Sequence, residues 1–293
     1  MMPMSPKRTS AKSDRAANLL AAWPEVRERI AGAPKLFIGL DFDGTLSPIV
    51  QHFADARLPG ETKGLIARLG KLPGVEVAIV SGRALDDLKS RVGLRDITYI
   101  ATHGFDIERR GRLWHHPRAA EFKRVTAQVA KELARELAPF NGVNLEPKGY
   151  TLAVHYRQAP DAKTVAMAKR AFERVVSPWR EAGEVRVTLG KRLLEVRPGE
   201  PWGKGHGLAM LLGGPGADAR KIVDTSGAFT GDAKDVLALY IGDDETDEDG
   251  FKAIRRIGIT ARVGGTTVPT AAEYRLASIA EVRQFLELVA GTR

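Results

Sequence analysis

Asp41 and Asp43 stand one residue apart at the end of the apolar run Leu36-Phe37-Ile38-Gly39-Leu40. Side chains of an extended chain alternate, so both carboxylates fall on one side and can divide a job between nucleophile and acid or base. Three further clusters follow. One apolar run ends in Ser81-Gly82-Arg83, another ends in Gly242-Asp243-Asp244-Glu245-Thr246-Asp247-Glu248, and Lys204 follows Pro201-Trp202-Gly203 where a helix is expected to begin. The Ser81 hydroxyl with neighbouring N–H groups at a helix amino-terminus suits an anion, although such a serine also caps helices. Lys204, as a lone lysine, draws its meaning from this company. His103 closes another strand and can face the site or hold a turn, whereas His115 and His116 give no metal spacing.

These groups need a scaffold that brings strand ends together. Residues 36–40, 75–80, 99–102, 236–241 and 257–263 read as short buried strands, and helical patterns over 62–69, 85–92, 204 onward and 247–254 alternate with them. That rhythm predicts an α/β fold with a doubly wound parallel sheet, whose ligands gather at the carboxyl ends of the strands. A hairpin is expected around Arg110-Gly111, a final helix over 279–289, and a helix over 16–30 interrupted near Pro24. Between 119 and 198 the pattern changes to helix, two strands, helix, two strands, which reads as an inserted α+β cap. The expected organisation is a basic tail and helix at 1–34, a core at 35–118 and 199–293, and the cap at 119–198. The cap would move as a lid about connections near Pro117 and Pro198-Gly199. The stretch 213–235 reads as a long loop.

Composition narrows the class. The chain has 293 residues, 43% of them apolar, and no cysteine, which excludes disulfides, thiolate metal sites and cysteine nucleophiles. No apolar stretch is long enough to span a membrane, and the first residues lack a secretory core, so a cytoplasmic location is expected. The net charge of +9 resides in residues 1–30 and 119–198. Without a recognition element or interleaved aromatics it does not indicate nucleic acid, and it fits attraction of a small anion.

The four clusters together resemble the haloacid dehalogenase superfamily of phosphatases. That resemblance implies that Asp41 attacks phosphorus and becomes an aspartyl-phosphate, while Asp43 protonates the leaving oxygen and then deprotonates water. It implies Mg²⁺ held by Asp41, the backbone carbonyl of Asp43 and Asp243, with Asp244 and Asp247 behind them, which suits a hard cation among oxygens. Ser81, Gly82 and Arg83 would hold phosphate, and Lys204 would neutralise it.

Within the superfamily the chain is similar to trehalose-6-phosphate phosphatases over most of residues 36–290. The similarity is carried by Glu146-Pro147-Lys148-Gly149-Tyr150-Thr151-Leu152-Ala153-Val154-His155-Tyr156-Arg157, by Leu194-Glu195-Val196-Arg197-Pro198, by Gly242 through Glu248, and by Val263-Gly264-Gly265 and Ala272-Glu273-Tyr274-Arg275-Leu276. It implies a trehalose-phosphatase of free-standing type, the last step of trehalose biosynthesis, with Glu146, Lys148, Arg157, Lys191 and Glu195 recognising the distal glucose. Carboxylate–cation pairs suit hydroxyls, which both donate and accept. Such residues on short hairpins are otherwise solvated ion pairs. Other readings remain open: a phosphatase for sucrose phosphate or mannosylglycerate phosphate, a sugar phosphomutase, or a non-catalytic sugar-phosphate sensor.

Overall fold

The computed structural model describes residues 16–50, 55–190, 192–213, 235–265 and 268–293. Its main sheet has nine strands. β1 (Ala17–Asn18), β2 (Lys35–Asp41), β3 (Val75–Val80), β4 (Thr98–Ala101), β5 (Asp106–Arg109) and β6 (Arg112–His115) come before residue 119. The four-stranded sheet takes β7 (Asn144–Pro147), β8 (Leu152–His155), β9 (Val185–Gly190) and β10 (Leu193–Pro198). The chain then returns to the main sheet with β11 (Val236–Gly242), β12 (Gly258–Val263) and β13 (Tyr274–Leu276). The strand order is β1-β13-β12-β11-β2-β3-β4-β5-β6, parallel from β1 to β4, with the β5–β6 hairpin antiparallel at the edge.

β2 lies between β11 and β3, where strand order reverses, and its carboxyl end opens into the crevice that such a switch point creates. It is buried on both faces. Leu36, Ile38 and Leu40 enter one apolar layer, under α1 (Trp23–Gly32), α2 (Gly60–Leu69), α3 (Leu85–Val92) and α8 (Ile279–Ala290). Phe37 enters the other, under α6 (Lys204–Leu212) and α7 (Glu248–Ile254). Gly39 is required on that second face, since a Cβ there would lie 2.9 Å from the Tyr240 ring and 3.3 Å from Leu208.

The second sheet, in the order β7-β8-β10-β9, is antiparallel. One face packs on α4 (Ala119–Leu137) and α5 (Ala162–Glu181) through Leu152, Val154, Leu194 and Val196 against Val125, Val129 and Phe172. Alternation then sends Glu195 to the opposite face. Glu195 and Glu146 both pair with Ala153, from either side, so a small residue separates two carboxylates on one surface.

One expectation needs correction. Residues 16–30 are not one interrupted helix: Ala17–Asn18 pairs with β13, Leu19 donates its N–H to the Arg275 carbonyl at 2.9 Å, and α1 begins at Trp23. Pro24 opens that helix, where its missing N–H costs nothing. The partner strand β13, absent from the sequence reading, has three residues, too few for a periodic signal. The stretch 213–235 and the tail at 1–15 lie almost wholly outside the described residues. Among the described residues no helix is long and apolar enough to cross a membrane.

Candidate active site

The carboxyl ends of β2, β3, β4 and β11 and the open face of the second sheet line one cleft of about 1310 Å³. Its walls include Asp41, Asp43, Ser81, Gly82, Arg83, Glu146, Lys148, Arg157, Glu195, Lys204 and Asp243, so these expected residues meet in one place. Lys191 lies outside the described residues.

Lys204 is the first residue of α6, and its buried ammonium donates at 2.8 Å to Asp41 Oδ1 and at 2.8 Å to Asp247 Oδ1. Both carboxylate oxygens of Asp247 are engaged. Oδ1 also accepts the Tyr240 hydroxyl, and Oδ2 accepts the N–H groups of Asp243 at 3.0 Å and Asp244 at 3.1 Å. Burial, reinforced by Asp244 and opposed by Lys204, pushes Asp247 up to about 6. Burial likewise raises Asp41 well above the usual carboxylate range, with Asp247, Asp243 and Asp244 adding to the effect, whereas Asp247, Asp41 and Asp244 hold Lys204 charged against the cost of its own burial. Negative charge exceeds positive charge here.

That excess is the test of whether a divalent cation fits. Carboxylate oxygens of Asp41, Asp243 and Asp247 lie within 4.8 Å of one another, and Asp41 Oδ2 is buried with no hydrogen-bond partner among the described residues. Gly44, at φ +91°, leaves the room that Asp243 occupies, because a Cβ there would collide with its carboxylate. An all-oxygen donor set with an unsatisfied buried carboxylate oxygen suits a hard ion such as Mg²⁺.

Asp43 follows on the loop after β2 and is clasped by Arg83 through two bonds of 2.7 Å, Nε to Oδ2 and Nη2 to Oδ1, while Arg83 Nη1 reaches Asp87 at 3.0 Å. Arg83 therefore lines the cleft with its guanidinium engaged by carboxylates. Ser81 Oγ accepts the Arg83 N–H at 3.1 Å, which orders the turn after β3.

On the second sheet, Lys148 Nζ lies 3.5 Å from Glu146 and 3.6 Å from Glu195, and His155 Nε2 lies 2.7 Å from Glu146 Oε2. Burial opposes ionisation of Glu195, yet His103, Lys148 and Arg197 outweigh it and hold its carboxyl well below the usual range. Burial also opposes the charge on Lys148, and Glu195 and Glu146 more than restore it. Arg157 reaches back to the first half of the chain, donating at 2.7 Å to the Val50 carbonyl.

Sequence reasoning left His103 undecided between site and turn. Its Nε2 lies 3.0 Å from Glu195 Oε2, so it joins the main sheet to the second one. Burial, with the charge of Arg197, lowers its pKa to about 4 against the pull of Glu195. At this ring the unfolded chain then binds more protons than the folded one between about pH 6.5 and pH 4, so its contribution to stability falls as pH falls through that window, by up to about 3 kcal/mol, whereas the raised Asp247 and Asp41 contribute in the opposite sense below about pH 6. Glu195, depressed below 4.5, adds its own loss only at lower pH. Denaturant unfolding at stepped pH is expected to show the wild-type chain losing stability relative to His103→Gln as pH falls from 6.5 to 4. A difference between the two that stays constant over that range would contradict it.

Comparison with known proteins is consistent across sequence and structure. A family model described as trehalose-phosphatase matches residues 39–280. A trehalose 6-phosphate phosphatase of Zea mays is 32% identical over 278 residues, covering 90% of this chain and 72% of its own. The solved C-terminal domain of a Candida albicans trehalose-6-phosphate phosphatase superposes with a TM-score of 0.77 at 23% identity, covering 95% of this chain and 99% of that one. A haloacid dehalogenase-like hydrolase from Bacteroides thetaiotaomicron shares the fold at TM-score 0.55 and 16% identity, over 86% of this chain and 98% of its own.

Proposed function

The chain belongs to the trehalose-phosphatase family, and from that premise we propose that its cleft hydrolyses trehalose 6-phosphate to trehalose and inorganic phosphate. One observation carries the reading: Glu146, Lys148 and Glu195, an acid–base cluster suited to sugar hydroxyls, face the same cleft as Asp41, Asp43, Ser81 and Lys204.

Asp41 attacks phosphorus through a carboxylate oxygen, and the bond to the sugar oxygen breaks as Asp43, released from the Arg83 clasp and protonated, supplies a proton to it. Asp43, now ionised, takes a proton from water, which attacks phosphorus and returns Asp41 to its free form. Lys204 fixes the Asp41 rotamer and balances its charge. Ser81 and the N–H groups of its turn hold phosphate oxygens. Mg²⁺ would be held by Asp41, Asp243 and the Asp43 carbonyl, with Asp247 beside them, its oxygens accepting four hydrogen bonds. When bound it supplies neutralisation of the charge shared by phosphate and carboxylates. Residues 119–198 act as a cap over this chemistry, closing to exclude water.

Phosphate release over a panel of sugar phosphates, with Mg²⁺ and with excess chelator, tests the function. Trehalose 6-phosphate should be the best substrate, and chelator should stop the reaction. A better turnover of sucrose phosphate or mannosylglycerate phosphate would reassign the sugar.

Selectivity should reside in the cap. Glu146→Gln or Glu195→Gln removes a charged acceptor, and hydrogen bonds to charged groups contribute about 1.5–3 kcal/mol, so kcat/KM for trehalose 6-phosphate is expected to fall about ten- to a hundred-fold. An aryl phosphate should be hydrolysed nearly as before. Equal losses on both substrates would place these residues in the general machinery.

A further inference from the structure

Thr102, His103 and Gly104 follow one another in the left-handed region, at φ +47°, +56° and +93°. A β-branched residue there is an outlier, and two adjacent non-glycine residues in this region store strain that surrounding structure must hold in place. Here it is held by backbone bonds to the phosphate-side turn. The Thr102 N–H donates to the Arg83 carbonyl at 2.8 Å, and the His103 N–H donates to the Ser81 carbonyl at 2.9 Å. The Thr102 hydroxyl lies 3.3 Å from Asp106 Oδ2.

The strained turn aims one side chain. The His103 ring lies over Gly82, so close that a Cβ at Gly82 would sit 2.5 Å from Cε1 and Nε2. Past that glycine, Nε2 reaches Glu195, 92 residues away, at 3.0 Å from Oε2 and 3.3 Å from Oε1. Nδ1 is buried and has no hydrogen-bond partner among the described residues. A neutral imidazole carries one N–H, and beside a carboxylate that proton belongs on Nε2, which makes the ring a directed donor to Glu195. Lys148, at 3.6 Å from Oε1, fixes charge but has a rotatable ammonium and a longer contact. His103 alone in this pair sets direction.

We propose that His103 is a positioning residue for sugar selection, orienting the Glu195 carboxylate and registering it against the Ser81-Gly82-Arg83 turn, so that the sugar-binding face is set relative to the phosphate-binding one. The inference rests on the reading of Glu195 as a sugar-recognition residue. Gly82 is part of the device, since any side chain there would displace the ring.

Two substitutions separate positioning from support. His103→Asn keeps a residue type that tolerates left-handed φ but is too short to reach Glu195. His103→Gln restores an amide donor near the Nε2 position. With Mg²⁺ present, His103→Asn is expected to raise KM for trehalose 6-phosphate about ten-fold with a smaller change in kcat, and to leave hydrolysis of an aryl phosphate within about two-fold of wild type. His103→Gln should recover most of the loss, and His103→Asn combined with Glu195→Gln should be no worse than Glu195→Gln alone. Equal losses on both substrates, or additive losses in the double variant, would overturn the proposal. If Glu195→Gln itself spares trehalose 6-phosphate, the reading of Glu195 fails, whereas a selective Glu195→Gln beside an unaffected His103→Asn defeats the positioning role alone. Nitrogen NMR of the wild-type imidazole decides independently of any variant's folding: a neutral ring protonated on Nε2 is required, and protonation on Nδ1 with a bare Nε2 contradicts the proposal.

Discussion

Asp41→Asn is expected to reduce phosphate release from trehalose 6-phosphate by about 10⁴-fold or more, because the amide cannot form the aspartyl-phosphate on which both half-reactions depend. The same change should not unfold the chain. Asp41 is one of several carboxylates crowded around Lys204, and burial together with Asp247, Asp243 and Asp244 already disfavours its charge. Replacing it with a neutral residue of the same shape relieves that repulsion and leaves Lys204 paired with Asp247. In chelator, thermal unfolding of Asp41→Asn should therefore occur at or above the wild-type temperature. Substantial turnover in the variant would remove Asp41 from the nucleophile's role.

Lys204→Met should have the opposite thermodynamic character. It removes the buried cation between Asp41 and Asp247 while keeping most of the side-chain volume. Breaking one side of a buried charged cluster leaves carboxylates uncompensated, which costs about 3–5 kcal/mol. Denaturant unfolding in chelator is expected to show that loss. Mg²⁺ at millimolar concentration should recover part of it, since an ion binding only the folded chain stabilises it by mass action. Turnover should stay low even with Mg²⁺, because Asp41 loses the group that fixes its rotamer. A variant as stable as wild type in chelator would mean that the carboxylates are protonated or solvated instead of paired with Lys204.

The strands that carry the site were legible because each is a short apolar run buried on both faces and ended by polar residues. Val75–Val80 and Leu85–Val92 have the bounds expected from sequence. Asp41 and Asp43 announce themselves by type and spacing. The links made by folding were not legible: Lys204 meets Asp41 across 163 positions and Asp247 across 43, and Tyr240, inside an apolar strand, reads as any core aromatic until its hydroxyl meets Asp247. His103 was ambiguous for a physical reason. Its reach to Glu195 depends on left-handed backbone at Thr102 and His103, which their residue types do not advertise. The sheet edge escaped too, because β1 and β13 are set by pairing with each other more than by any periodicity of their own. Alternation alone places Glu146 beside Lys148, with Glu195 expected to pair with Lys191, but the convergence of both glutamates with Lys148 required the register in which they flank Ala153.

Product stoichiometry separates hydrolysis of trehalose 6-phosphate in this cleft from transfer of phosphate to another hydroxyl. The purified 293-residue chain would be incubated with trehalose 6-phosphate and Mg²⁺, and the sugar and phosphate products measured together. Equal molar amounts of free trehalose and inorganic phosphate are expected, both absent with Asp41→Asn. Phosphate retained on another hydroxyl of the sugar, or a substrate left intact while a different sugar phosphate is consumed, would contradict the account.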